Sequence, residues 1–112
     1  MAKNIQNIQG VPTLMIQSQD DLQGLELIDV RRPDEFTGEL GHIKGAKLIT
    51  LGPELESFIQ GMDKNKETLF ICRSGARSAN ATMFAQSLGH TKVYNMNGGM
   101  MLWNQLGLPT EK

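Results

Sequence analysis

One cysteine among 112 residues rules out an intramolecular disulfide, so the fold does not depend on oxidation and suits a reducing compartment. Neither sign of charge is in surplus. A formal net charge of −1 argues against nucleic acid as the main partner, because phosphate binding needs a basic excess, though a local basic pocket is compatible with it. No stretch approaches the roughly 18 apolar residues of a membrane span, and the single N-terminal lysine is not followed by an apolar run of signal-peptide length. A soluble, cytoplasmic protein with no membrane partner is the expectation. Repeats, low-complexity tracts and linker-like Pro/Gly/Ser stretches are also missing. The chain is too short for two separate cores, so one domain is expected over residues 11–112, preceded by a loose polar arm over residues 1–10. His42, His90 and Cys72 do not make a zinc-ligand spacing, so no metal site is expected.

What the chain does contain is a regular alternation of short apolar runs and helical patterns. Strands are predicted at Thr13 to Ile16, Leu25 to Val30, Ala46 to Thr50, Thr68 to Cys72 and Lys92 to Asn95. Between them, Ser18 can cap a short helix over Gln19 to Gln23, and Pro33 fits the start of a turn or two reaching Leu40. Helices are predicted over Pro53 to Met62, Gly75 to Leu88 and Asn97 to Leu106, with Gly89 and Gly107 as stops. The centre of the fourth strand, Leu69-Phe70-Ile71, has no polar alternation, as expected of a strand covered on both faces. Strands alternating with helices point to an α/β fold, a parallel sheet flanked by helices. Ligands of such sheets sit at the strand carboxyl ends, where this pattern places both Cys72 and Asp29.

The segment Cys72-Arg73-Ser74-Gly75-Ala76-Arg77-Ser78 leaves that buried strand and opens the alanine-rich helix. Curled into a loop, its successive N–H groups can converge on one point and form an anion site helped by the positive helix end. Gly75 supplies the backbone freedom that a tight curl needs. A cysteine in that field is favoured as the nucleophilic thiolate, and the same field would hold an anionic persulfide. Arg73 and Arg77 offer directional donors for an oxyanion, and Ser74 and Ser78 add hydroxyls. A lone cysteine at the end of a buried strand is by itself most often an inert core residue. Two arginines and two serines within six residues weigh against that, since burial alone does not call for them.

These residues resemble the rhodanese family. FICRSGARSA is similar to its active-site loop; Asp29-Val30-Arg31, Asp34-Glu35-Phe36 and Gly41-His42-Ile43-Lys44-Gly45-Ala46 resemble the stretch between its second and third strands; and Asn97-Gly98-Gly99 with Trp103, Gly107 and Pro109 resembles its C-terminal signature. The resemblance runs from about Leu25 to Pro109. It implies an α/β fold built on a five-stranded parallel sheet with helices on both faces, and a sulfurtransferase that moves sulfane sulfur, by a ping-pong route, from an anionic donor such as thiosulfate or a persulfide to cyanide or a thiol. Cys72 would be the nucleophile, the residues from Arg73 to Ser78 the anion cradle, and no metal or organic cofactor is implied. A protein partner in a sulfur relay fits the same chemistry.

Other residues have a bland reading beside the sharp one. Asp29 and Arg31 can shape the substrate pocket; for Asp29 the structural role of bonding loop amides or an arginine is favoured, while for Arg31 the two stand even. His42 is read as structural, because a thiolate needs no general base; His90 is read as solvated and Trp103 as a packing anchor. Met96, Met100 and Met101 are read as gap-fillers of a small core rather than a partner-binding patch. Two rival functions remain. A cysteine phosphatase or arsenate reductase uses a similar cradle, but only four residues separate Cys72 from Arg77, one fewer than those loops place, and the loop holds no carboxylic acid. A non-catalytic sulfur carrier or partner-binding module would keep the same cysteine.

Overall fold

The computed structural model describes residues 3–112. The strands are β1 (Ile5–Ile8), β2 (Val11–Leu14), β3 (Glu26–Asp29), β4 (Lys47–Leu48), β5 (Thr68–Ile71) and β6 (Val93–Met96). The helices are α1 (Pro33–Phe36), α2 (Pro53–Gln60), α3 (Ala76–Ser87) and α4 (Gly99–Gln105), with a 3-10 turn at Gln19–Leu22. The sheet order is β1-β2-β6-β5-β3-β4, parallel throughout except for the β1–β2 pair.

The expected α/β architecture is present, with two corrections. The sheet has six strands, not five, and the extra one comes from the segment expected to be a loose arm. Residues 5–8 pair antiparallel with residues 11–14 through a two-residue turn in which Gln9 and Gly10 both have positive φ (53° and 85°). That geometry matches the right-handed twist of two joined strands. Only Ile5 packs against the core, which is why the segment carries so little apolar pattern. Residues 1 and 2 of the expected arm lie outside the described residues. The second strand also begins at Val11, two residues ahead of the expected Thr13.

Every residue of β5 is buried, as its unbroken apolar run requires of a central strand. Its period of two divides the core. Leu69 and Ile71 face one side, with Leu14, Met96, Met100 and Trp103; Phe70 and Cys72 face the other, with Ile28, Val30, Leu55, Ile59, Ala81 and Ala85. Thus α4 covers the first face while α2 and α3 cover the second. Trp103 is the anchor expected of it, with its indole N–H donating to the Pro109 carbonyl at 2.8 Å. Met96 and Met100 are fully buried, whereas Met101 is exposed. His90, expected in solvent, is instead buried, its Nε2 lying 3.0 Å from the Ile59 carbonyl at the end of α2. Among the described residues, no helix is long and apolar enough to cross a membrane.

The order of strands positions the site. From β3 the chain moves outward to β4, then returns across β3 to β5 and continues to β6 on the other side. The connections leaving β3 and β5 therefore diverge and open a crevice at their carboxyl ends. Asp29 and Ile71 are opposite one another at that edge, and the Val30 N–H donates to the Ile71 carbonyl at 2.8 Å.

Candidate active site

Cys72 follows β5 directly and is 1% exposed. Two donors reach its sulfur: the Gly75 N–H at 3.1 Å and the Ser78 hydroxyl at 3.2 Å. Gly75 stands before α3 with φ +108°, and its reversal of the chain aims its own N–H back at the sulfur. The first helical N–H groups, from Ala76, Arg77 and Ser78, have no intrahelical acceptor and keep the positive end of α3 at the loop. Arg73, Ser74 and Ala76 are exposed, while Ser78 is buried beneath them.

The loop is held from behind by α4. The Met100 N–H donates to the Cys72 carbonyl at 2.8 Å, and the Met101 N–H donates to the Arg73 carbonyl at 2.9 Å. These bonds turn both carbonyl oxygens towards α4. They require the chain at Gly99 (φ +59°) to lie almost against the loop: a Cβ there would sit 2.5 Å from the Arg73 carbonyl group and 2.6 Å from the Cys72 oxygen. The Asn97-Gly98-Gly99 signature therefore has a mechanical role in shaping the cysteine loop.

The two loop arginines differ. Arg77 is paired with Glu35 of α1 through Nη1–Oε1 at 2.6 Å and Nη2–Oε2 at 2.8 Å, a bidentate ion pair between residues 42 apart in sequence. The Arg77 guanidinium bonded to it holds the Glu35 carboxyl down at about 2, against an ordinary 4.5, with burial opposing that shift. The Glu35 bond in turn raises Arg77. Arg73 has no ion pair or side-chain hydrogen bond among the described residues and is exposed. With Arg31, Asp34, Glu35 and Glu39 it lines a cleft of about 190 Å³ on one side of the loop. On the other side, Ser74 and Gly75 border a cleft of about 360 Å³ with no charged residue in its walls.

Asp29 is fully buried and bidentate to Arg31, at 2.9 Å to Nε and 2.8 Å to Nη2. Arg31 is held by more than this pair. It is 1% exposed, and four of its five N–H donors are spent on Asp29, the Glu35 carbonyl and the Gly41 carbonyl. It ties the end of β3 to the segment before β4 and also borders the cleft beside Arg73. His42 stacks on Phe36 with ring centroids 3.7 Å apart, and its Nδ1 lies 2.8 Å from the Phe36 carbonyl. None of its hydrogen bonds reaches the cysteine loop.

Two contributors escaped sequence reasoning. Glu35 stood in a recognised motif, but nothing local linked it to Arg77. Asn95 accepts from the Ser78 hydroxyl through Oδ1 at 2.5 Å and donates to the Gly75 carbonyl through Nδ2 at 3.1 Å. The signal for it was period two in β6: Asn95 lies two residues beyond Val93, on the face that α3 covers.

With this geometry in place, comparison with known proteins identifies the class. The model of the Rhodanese-like domain family matches residues 12–106, and the chain belongs to that family. It is 38% identical over 81 residues to "Thiosulfate sulfurtransferase GlpE" of Pseudomonas fluorescens, covering 72% of each chain. It is 33% identical to "Uncharacterized protein slr1261" of Synechocystis over its full 112 residues, spanning 61% of that longer protein. It is also 33% identical over 102 residues to "Putative sulfur carrier protein YrkF" of Bacillus subtilis, covering 88% of this chain and 54% of that one. The solved structure of the "Human Single Domain Sulfurtranferase TSTD1" superposes with a TM-score of 0.68 at 30% identity, over 86% of this chain and 97% of that one. A sulfur-transfer role is the function these relationships support.

Two outcomes are expected. Gly99→Ala forces its new Cβ against backbone and should cost more than 2 kcal/mol or so in urea unfolding, whereas Gly107→Ala (φ +72°), which meets nothing within 4 Å, should cost only about 1 kcal/mol. Equal losses at the two glycines would contradict the docking role. The Glu35–Arg77 pair adds a pH dependence. Because the folded carboxyl titrates near 2 rather than 4.5, its contribution is complete above about pH 4.5 and fades as the pH falls towards 2. Allowing for the part of Arg77 that meets water, on the order of 2 kcal/mol of stability should disappear over that window, and Glu35→Gln should flatten it.

Proposed function

We propose that this protein is a thiosulfate-type sulfurtransferase that carries sulfur as a persulfide on Cys72. The Cys72 thiolate attacks the sulfane sulfur of thiosulfate, the sulfur–sulfur bond of the donor breaks, and sulfite leaves with its electron pair. The Cys72 persulfide then yields its outer sulfur to cyanide or to a thiol, and the thiolate is restored. No proton is needed for attack once the thiolate is formed, in keeping with a loop that contains no general base. The observation that carries this reading is the pair of donors, Gly75 N–H and Ser78 hydroxyl, within 3.2 Å of a buried cysteine sulfur at the carboxyl end of the central strand.

The arginines divide the remaining work. Arg73, exposed and without an ion-pair partner among the described residues, takes the sulfonate oxygens of the donor and the departing sulfite. Arg77, committed to Glu35, fixes the start of α3 beside the sulfur without leaving its partner. The tight spacing from Cys72 to Arg77 favours one extra sulfur atom over a phosphoryl group. A thiol that must be regenerated in each cycle suits a reducing, cytoplasmic setting. A sulfur-carrier role, suggested by the printed name of YrkF, would use the same persulfide but turn over thiosulfate poorly.

Incubation with thiosulfate should add the mass of one sulfur atom, located on Cys72 by peptide mass spectrometry, and cyanide should remove it as thiocyanate. Cys72→Ser should abolish both events. Arg73→Ala should raise KM for thiosulfate about tenfold with little change in melting temperature, the scale of one charge-assisted hydrogen bond. Arg77→Ala should lower the melting temperature as well. Unchanged thiosulfate kinetics in Arg73→Ala would refute the assignment of the donor's oxyanion to that residue. Loading from a persulfide donor with negligible thiosulfate turnover would favour the carrier.

A further inference from the structure

The Ser78 hydroxyl has one proton and three acceptors in reach: Asn95 Oδ1 at 2.5 Å, Cys72 Sγ at 3.2 Å and the Gly75 carbonyl at 3.4 Å. Asn95 is buried at the end of β6. Its Nδ2 donates to the Gly75 carbonyl, which turns Oδ1 towards Ser78, where it can only accept. Asn95 thus bonds the two residues that supply both donors to the sulfur, although no hydrogen bond joins it to the sulfur itself.

We propose that Asn95 is a positioning residue that competes with the Cys72 sulfur for the Ser78 proton, so that the hydroxyl faces Asn95 when the sulfur is neutral and turns to the sulfur when it becomes thiolate or persulfide. The inference rests on Cys72 being the reacting thiol. The turn is a rotation about one C–O bond and needs no backbone movement. It follows charge, because a hydrogen bond to an anion is roughly twice as strong as one between neutral groups. The anionic sulfur gains the hydroxyl only by withdrawing it from Asn95, so Asn95 limits how far the loop stabilises the anion. A sulfur relay benefits from such a limit, since a persulfide held too firmly would not be passed on. Loss of the Asn95 side chain would not strand the Gly75 carbonyl, which also accepts from the Ala79 N–H at 3.0 Å.

Asp34 and Glu39 join Arg73 in lining the cleft beside the loop. Arg73 and Arg77 lie in the loop and at the start of α3, Glu35 of α1 neutralises Arg77, and Asp29 and Arg31 pair with each other at the end of β3. α2 packs Leu55 and Ile59 inward and leaves Glu54 and Glu56 exposed, while β6 and α4 contain no charged residue. Competition for the Ser78 proton is therefore a neutral device laid over a fixed set of charges.

The test is the pH profile of Cys72 alkylation by iodoacetamide in the full chain. Ser78→Ala removes a donor to the anion and should move the profile to higher pH. Asn95→Val releases the hydroxyl to the sulfur and should move it to lower pH by about half a unit to one unit, the scale of a hydrogen bond to a charged group. In the Ser78→Ala background, Asn95→Val should add nothing. A merely structural Asn95 predicts no shift or a rise in pH, or equal shifts in both backgrounds, and any of these overturns the proposal. Asn95→Ala serves if the valine variant does not fold. In the unaltered protein, the Asn95 side-chain amide resonances should titrate with the same midpoint as alkylation, and a flat response overturns the proposal without any variant. The profiles do not depend on sulfur transfer: a protein that took up no sulfur from any donor would refute the sulfurtransferase reading and leave the result on Asn95 standing.

Discussion

The cysteine loop has its shape because α4 binds its back. A free loop after β5 could present carbonyl oxygens to the sulfur, which would repel an anion. The N–H groups of Met100 and Met101 prevent this by taking the carbonyls of Cys72 and Arg73 for themselves. The Gly75 N–H and the start of α3 are then left facing the sulfur. This arrangement depends on two chain segments approaching within a distance that admits no side chain, and Gly99 is where that condition is met. Burial of Met100 and Trp103 in the core beneath α4 supplies the hydrophobic force that keeps the contact closed.

What could be read from the sequence was whatever one element determines by itself. The unbroken run of β5 announced a strand covered on both faces, and the residues after it announced a donor-rich turn into a helix. Both lie where they were expected, as does Asp29 at the carboxyl end of β3. What escaped was pairing between elements. Glu35 and Arg77 meet across 42 residues, and no local pattern encodes that meeting. Arg31 read equally as a pocket residue or a brace, and its further partners, the carbonyls of Glu35 and Gly41, lie in other segments. The β1–β2 hairpin was missed for a different reason: Gln9-Gly10 is a weak turn signal, and an edge strand that buries only part of Ile5 leaves almost no alternation to detect.

The same distinction explains which residues carry roles shared across the loop and which do not. Cys72, Gly75 and Ser78 act on the sulfur through bonds made within a span of seven residues, so their spacing alone carries the information. Asp29 and Arg31 act at a distance by fixing the edge of the crevice, and their bidentate pair is buried, where removal of one partner would leave an uncompensated charge. β3, which ends in Asp29, pairs along its length with β5, the strand that leads into the loop.

The electrostatic design follows from counting which charges are already spent. Of the arginines near the crevice, Arg31 is committed to Asp29 and Arg77 to Glu35, so each of these pairs is neutral as a unit. Arg73 alone of these three has no carboxylate partner among the described residues, and it stands at the exposed rim, in a cleft it shares with Asp34 and Glu39, rather than beside the sulfur. A charge placed there draws an anion to the mouth of the site and still lets one go, because solvent screens it. Close to the sulfur, stabilisation comes from an N–H, a hydroxyl and a helix end, which are dipoles with fixed directions. Dipoles discriminate by geometry and rim charge by attraction alone. A site built in this order fits the sulfur transfer proposed for it, in which both the donor and its anionic leaving group must come and go while one sulfur atom stays behind.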